Sequence, residues 1–285
     1  MTKKYLITIL KIIISVILIY LVINAIDLTK ISSLLGNVNY MIIAVCILFL
    51  LISNLVSAFR MQRYFNYEEL SMPYIVAVKY YFIGLLFNFL LPSGIGGDGY
   101  KAYLLKKNYD ISLMRIIQRL ISERANGLYI LLIATLIICY FIMPLQQLDY
   151  ASLLITIAII IITLTYFLAA RKILAEKTSL TVKILPYSLI IQLLHLVISM
   201  LLFNMLGIDN SILLEYLLLF QVSSILSIVP ISIGSIGLRE ITFIYGAKIL
   251  PNITPEIGVI FCLIYYFTNF LVALTGAKFY LETKS

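Results

Sequence analysis

Two segments of the sequence combine a proline, several glycines and a basic residue in the same order. Aligning residues 92–101 with residues 230–239 shows a shared pattern, P-x-x-I-G-x-x-G-x-[KR], which ends at Lys101 in the first copy and at Arg239 in the second. Glycines let backbone amides approach a ligand, and a helix that restarts after such a break presents unpaired amides and a positive dipole end. The pattern predicts two binding elements for a phosphate or phosphodiester. The alternative is that the breaks are simple kinks and Lys101 is an ordinary cytoplasmic lysine.

Acidic residues accompany both segments, and each has more than one interpretation. Asp98 either caps the following helix, coordinates a coupling cation, or pairs with Arg124. Glu123 and Arg124 enter an apolar segment, where ionisable residues are costly and often functional, although a structural pair at the membrane surface is an equal alternative. Glu240 adjoins Arg239 and either neutralises it or serves as a gate partner. The full set of predicted lipid-phosphate-binding residues is Pro92, Gly96, Gly97, Asp98, Lys101, Glu123, Arg124, Pro230, Gly234, Gly237, Arg239 and Glu240.

Motifs for enzyme chemistry are missing from the sequence. There is no nucleophile elbow, nucleotide-binding loop, DxD-like acidic pair or metal-binding His/Cys cluster, and a single histidine excludes most zinc chemistry. We expect that histidine, His195, to form hydrogen bonds between helices. The three cysteines lie within apolar runs without metal-like spacing, so they are expected to pack as small hydrophobic residues. The sequence therefore predicts neither an enzyme nor a metal or cofactor site.

The composition places these motifs in a membrane. Of the 285 residues, 62% are hydrophobic and 12% are charged, whereas a soluble domain is about a quarter charged. Six apolar stretches are long enough to cross about 30 Å of hydrocarbon. They are approximately 5–24, 40–59, 125–143, 152–169, 185–206 and 257–280. The sequence thus predicts an all-α polytopic protein, with residues 1–285 forming a single membrane domain.

Two further apolar stretches, 73–91 and 213–229, end at the glycine-containing breaks and are predicted to be re-entrant hairpins. With this arrangement, only Lys30, Arg239 and Lys248 lie on the outer side and most other basic residues are cytoplasmic, as the positive-inside rule requires. The net charge of +8 therefore indicates an excess of basic residues in the cytoplasmic loops and attraction to anionic lipid headgroups, rather than to nucleic acid.

The predicted topology is repeated with opposite orientation. Each half contains two spans, one hairpin and a third span, so we predict inverted repeats of approximately 1–145 and 146–285. Both termini are then cytoplasmic, and the expected location is the plasma membrane. Inverted repeats whose broken helices meet near the midplane of the bilayer are a transporter architecture.

Three segments resemble the signatures of a known family. Residues 92–101 resemble P-x-x-x-G-G-D-x-x-[RK], residues 123–127 resemble [DE]-R-x-x-G, and residues 230–240 resemble P-x-x-x-G-x-x-G-x-R-E. These are similar to the signatures of the lysylphosphatidylglycerol synthase transmembrane family, often called flippase-like proteins, which includes the membrane domain of the multiple peptide resistance factor. In the first signature, Lys101 replaces the commoner arginine, which keeps the charge but loses the bidentate fork.

The resemblance implies a membrane domain that translocates lipids, without the separate soluble domain that transfers the aminoacyl group. We therefore expect a transporter of an anionic phospholipid or lipid-linked sugar, with Lys101 and Arg239 engaging the phosphate. One alternative is a membrane-embedded transferase acting on polyprenyl phosphates, with Asp98, Glu123 or Glu240 as its carboxylate. Another is a lipid-binding partner of a synthase that does not transport. The expected partners are membrane lipids with anionic headgroups and an enzyme of cell-envelope biosynthesis.

Overall fold

The computed structural model describes residues 13, 16–27, 36, 38–67, 70–90, 96–142, 150–228 and 236–283, and the longer regular elements among them are all α-helices. The helices are α1 (Val16–Ala25), α2 (Tyr40–Asn66), α3 (Tyr74–Leu90), α4 (Gly96–Asn108), α5 (Leu113–Tyr140), α6 (Ala151–Lys172), α7 (Thr178–Met205), α8 (Leu213–Leu226), α9 (Leu238–Gly246) and α10 (Pro255–Glu282). The chain is a polytopic all-α membrane protein, as the sequence predicted.

Five of these helices, α2, α5, α6, α7 and α10, are long and apolar enough to cross a membrane, and each overlaps a predicted span. The predicted first span, 5–24, overlaps α1 and otherwise lies outside the described residues. The main difference concerns α5, which begins at Leu113 although the apolar stretch begins near residue 125. Its first three turns carry charged residues that pack inside the protein, so hydropathy alone places the start too late.

The centre of the bundle is an antiparallel pair formed by α2 and α7, which make the most extensive contact between helices. Ser53 lies beside His195, and Arg60 lies beside Ser188 one to two turns further along. The second most extensive contact is between α3 and α10, also antiparallel, because Lys79 pairs with Glu282 while Phe89 packs on Tyr266. Large apolar side chains on the outer helices point away from this centre, especially on α6, as expected for surfaces that face lipid.

Two helical hairpins are inserted into this bundle. Helices α3 and α4 run antiparallel, with Phe87 stacked on Tyr100 and the Asn108 amide donating to the Tyr80 hydroxyl. Helices α8 and α9 form the second hairpin, in which Leu219 packs on Gly246. The four arms contain 9 to 17 residues, so the longest is about 25 Å at 1.5 Å per residue, short of the hydrocarbon thickness.

The two hairpins open at opposite ends of α10. The open end of the first lies beside the carboxyl end of α10, where Lys79 Nζ is 2.9 Å from Glu282 Oε2. The open end of the second lies beside the amino end, where the Tyr216 hydroxyl accepts a hydrogen bond from the backbone of Thr254. Helix α10 has 28 residues and spans about 42 Å, so the hairpins enter the bundle from opposite directions.

Candidate functional site

The first hairpin closes through an unusually tight contact between its arms. A Cβ atom on Gly97 would lie 1.8 Å from the carbonyl oxygen of Gly84, and one on Gly84 would lie 2.8 Å from Lys101 Cγ. The Asn88 side chain accepts a hydrogen bond of 3.0 Å from the Gly97 amide. Because this amide is in the first turn of α4, Asn88 satisfies one of the donors that a helix start leaves unpaired. Glycine at position 97 therefore sets the spacing of the hairpin.

Asp98 neutralises much of the positive charge at this hairpin. Its Oδ1 lies 2.8 Å from Lys101 Nζ, and its Oδ2 accepts a hydrogen bond from Arg124 Nε. Lys101 is only 6% exposed, and its Nζ lies 5.0 Å from the centre of the Tyr81 ring. The predicted pairing of Asp98 with Arg124 is present. Lys101, predicted to engage a lipid phosphate, is buried against this carboxylate.

A second buried polar cluster links α2, α5 and α7. Arg60 donates to Ser188 Oγ at 2.7 Å and to Glu123 Oε1 at 3.2 Å. Ser188 also donates to Asn126 Oδ1, and the Asn126 amide donates to the Tyr166 hydroxyl at 2.7 Å. Glu123 and Arg124, adjacent in sequence, thus pair with different partners. Breaking a buried ion pair such as Arg60–Glu123 is costly because the remaining charge is left uncompensated.

Sequence reasoning missed Arg60 and Ser188 in this cluster. The sequence places Arg60 directly after the span 40–59, among the cytoplasmic basic residues. Its side chain is nevertheless buried, with only 8% of the residue exposed. The available signal was spacing, because Ser53, Ser57 and Arg60 recur at intervals of four and three residues in a largely apolar helix. Such spacing places polar side chains on one helix face.

The second hairpin presents Arg239 in a different environment. Its guanidinium donates to Ser224 Oγ at 3.1 Å and, more weakly, to Ser223 Oγ at 3.5 Å. The guanidinium carbon also lies 5.3 Å from the centre of the Tyr265 ring and 5.7 Å from that of Phe220. Among the described residues, no carboxylate lies within ion-pair distance of Arg239. This half-buried cation is held by hydroxyl groups and aromatic faces.

Glu240 does not pair with its neighbour Arg239. The Glu240 carboxylate accepts a hydrogen bond of 2.8 Å from the backbone amide of Gly237 and so caps α9. Gly237 has a φ of +86°, a conformation that favours glycine, and a Cβ there would meet Leu18 of α1 at 2.4 Å. The neutralising role considered for Glu240 is therefore replaced by helix capping.

The predicted site residues thus separate into two half-sites. The first contains Gly97, Asp98, Lys101 and Arg124, and Gly96 begins its second arm. The second is centred on Arg239, with Gly237 and Glu240 shaping the helix start, while Glu123 belongs to the neighbouring cluster around Arg60. Pro92, Pro230 and Gly234 lie outside the described residues. Within the described residues, no group of three or more His, Cys, Asp or Glu side chains is arranged to hold a metal ion.

These features define a polytopic α-helical membrane protein with two short hairpins, one carrying a buried and the other a half-buried cationic side chain. The family model described as lysylphosphatidylglycerol synthase TM region matches residues 8–276, and the chain belongs to this family. The match confirms the resemblance inferred from the three sequence signatures. No curated protein sequence matches the chain significantly.

Proposed function

We propose that this protein moves an anionic phospholipid or a lipid-linked sugar phosphate between the two leaflets of the membrane. The observation that carries the proposal is the state of Arg239, which lies half-buried beside two serine hydroxyls with no carboxylate partner among the described residues. A cation inside a membrane protein is stabilised by an anionic partner. A lipid phosphate would supply that partner, and the guanidinium can bind it through two parallel hydrogen bonds.

The arrangement of the hairpins supports alternating access. Helix α3 of the first half packs on α10 of the second, and α8 of the second half packs on α5 of the first. This reciprocal packing, together with hairpins that open at opposite ends, supports inverted repeats of approximately 1–145 and 146–285. Rocking of one repeat against the other would expose the polar half-sites to one side and then to the other.

A groove between α5 and α6 offers a place for the lipid tail. It has a volume of about 280 Å³ and is lined mainly by apolar side chains, including Leu132 and Ile161. Tyr166 also lines it, and the Tyr166 hydroxyl leads through Asn126 to the cluster around Arg60. A headgroup can therefore contact polar groups while its acyl or prenyl chain remains in an apolar environment.

The proposed orientation places both termini in the cytoplasm of a cell whose plasma membrane holds the protein. Arg63 and Lys183 line the same cleft, and Lys79 lies at the same end of the bundle. Clustering of basic residues at one end favours that end as cytoplasmic.

Cysteine accessibility tests this orientation. Lys107 and Asp209 are exposed, whereas native Cys46 and Cys262 are buried. We expect a membrane-impermeant thiol reagent to label D209C in intact cells and K107C only after permeabilisation. Cells with the unsubstituted chain provide the background. Labelling of both variants from the same side would contradict opposite-facing hairpins.

The transport function is tested with the full chain in phosphatidylcholine vesicles. Fluorescent phosphatidylglycerol, a fluorescent polyprenyl-phosphate sugar and fluorescent phosphatidylcholine are compared by dithionite quenching of the outer leaflet. We expect one of the two anionic lipids to reach the outer leaflet faster than phosphatidylcholine, and the comparison identifies which. Rates equal to those of protein-free vesicles for all three lipids would contradict the proposal.

The same preparation separates the two alternative functions. Turnover of a polyprenyl-phosphate headgroup in detergent, where there is no second leaflet, would favour a transferase. Stable co-purification of a synthase without lipid movement would favour a lipid-binding partner.

A further inference from the structure

His195 occupies a junction between three helices. Its Nδ1 lies 2.6 Å from the Tyr265 hydroxyl of α10, and its Nε2 lies 3.2 Å from Ser53 Oγ of α2. Both partners are hydroxyl groups, which can either donate or accept a hydrogen bond. The same contacts therefore accommodate a neutral imidazole and a doubly protonated imidazolium.

Polar groups continue from His195 towards both half-sites. On one side, the guanidinium of Arg239 lies over the Tyr265 ring. On the other side, Ser57 Oγ donates to the Ser53 carbonyl at 2.9 Å, and Ser57 lies close to Tyr81, whose ring packs on the Lys101 ammonium group. These polar and aromatic contacts form a polar row that runs between the two hairpins, and His195 lies near its middle.

The net charge around the His195 imidazole depends on whether Arg239 has bound an anion. The helices around His195 present Ser53 from α2, Tyr265 from α10 and Arg239 from α9, while Gln192 of α7 is bonded to Gln221 of α8. The Arg239 guanidinium lies over the ring of Tyr265, and the hydroxyl of the same tyrosine contacts the imidazole. Burial disfavours a charged imidazole, and the positive charge of Arg239 opposes it further. An anionic headgroup bound to Arg239 would offset the second of these two effects.

We propose that His195 takes up a proton when an anionic headgroup binds at Arg239, so that lipid movement is coupled to proton movement. This inference rests on the proposed function. Neutral imidazole forms an N–H bond with a proton from hydronium at the open side, which becomes water, and the reverse step returns the proton to water at the other side. Linkage is reciprocal, so protonation of His195 also strengthens headgroup binding. Each anionic lipid then crosses with a compensating positive charge.

Calorimetry on the full chain in detergent tests the coupling apart from transport. A short-chain phosphatidylglycerol, or the matching polyprenyl-phosphate sugar, is titrated between pH 5 and 8 in buffers of different ionisation enthalpy, which reports protons bound per lipid. We expect the wild type to take up as much as about one proton per lipid at a single site. In His195→Gln this uptake should fall to near zero. Ser199→Ala is the matched control, since Ser199 bonds only its own helix at the His195 carbonyl, and it should retain the uptake.

Three results would overturn the inference in distinguishable ways. Binding by the wild type without proton uptake would exclude coupling and leave the proposed function intact. Equal uptake in the wild type and in His195→Gln would assign the proton to another group. Absence of both lipid binding and vesicle transport in the wild type would remove the proposed function and this inference together. Acceleration of transport by an imposed pH gradient in the wild type, but not in His195→Gln, would support it.

Discussion

Replacing Arg239 by glutamine is expected to reduce lipid translocation by about tenfold to a hundredfold. A hydrogen bond to a charged group contributes about 1.5–3 kcal/mol, which corresponds to that range of affinity. Glutamine keeps a polar side chain but removes the positive charge of the guanidinium. The measurement is the initial rate of fluorescent phospholipid movement in vesicles. Arg239→Lys should give an intermediate rate, because lysine keeps the charge and loses the bidentate geometry.

Lys248→Gln is the matched control for this prediction. Lys248 lies just beyond the end of α9, nine residues after Arg239. It is exposed, and its ammonium group packs on the Tyr245 ring instead of contacting the polar row. Its removal changes the net charge by the same amount and should leave the rate within twofold of the wild type, since a surface charge contributes about 0–1 kcal/mol. If both variants lose activity equally, the effect comes from net charge and Arg239 has no special role.

Substituting Gly97 by alanine is expected to destabilise the protein by about 3 kcal/mol, at the upper end of the range for overpacking. The added Cβ would lie 1.8 Å from the Gly84 carbonyl oxygen, a backbone atom that cannot move without separating α3 from α4. That separation would also disturb the Asp98–Lys101 pair. The measurement is the midpoint of thermal unfolding in detergent, followed by size-exclusion chromatography, and we expect a lower midpoint and a smaller monodisperse peak.

Gly99→Ala provides the comparison within the same turn of α4. A Cβ at Gly99 meets no atom within 4 Å, so the substitution adds no clash. Alanine in a helix is favoured over glycine by roughly 0.5–1 kcal/mol, and the unfolding midpoint should stay the same or rise. Equal destabilisation by both substitutions would show that the hairpin does not depend on close approach at residue 97.

The ranges of the helices show how far local sequence information extends. The stretches 73–91 and 213–229 correspond to α3 and α8, within three residues at each end. A cluster of proline and glycines interrupts a helix, whereas single residues such as Pro186 in α7 and Gly127 in α5 are accommodated within one. An apolar run needs about 20 residues to cross the bilayer. Both features therefore follow from neighbouring residues alone. The start of α5 could not be found in this way, because residues 113–124 include four charged side chains, of which Arg119 and Glu123 are buried against other helices.

The same distinction applies to the candidate site. The spacing of proline, glycine and basic residues was sufficient to place two hairpins and to select Lys101 and Arg239 within them. It was not sufficient to show which cation is neutralised, because the partners come from helices distant in sequence. Asp98 meets Arg124 across 26 residues, and Arg60 meets Ser188 across 128. Electrostatic energy depends on distance in space, and helix packing sets those distances. Only the folded chain therefore shows that Lys101 is paired with a carboxylate, while Arg239 has no carboxylate partner in the part of the chain that the structure describes.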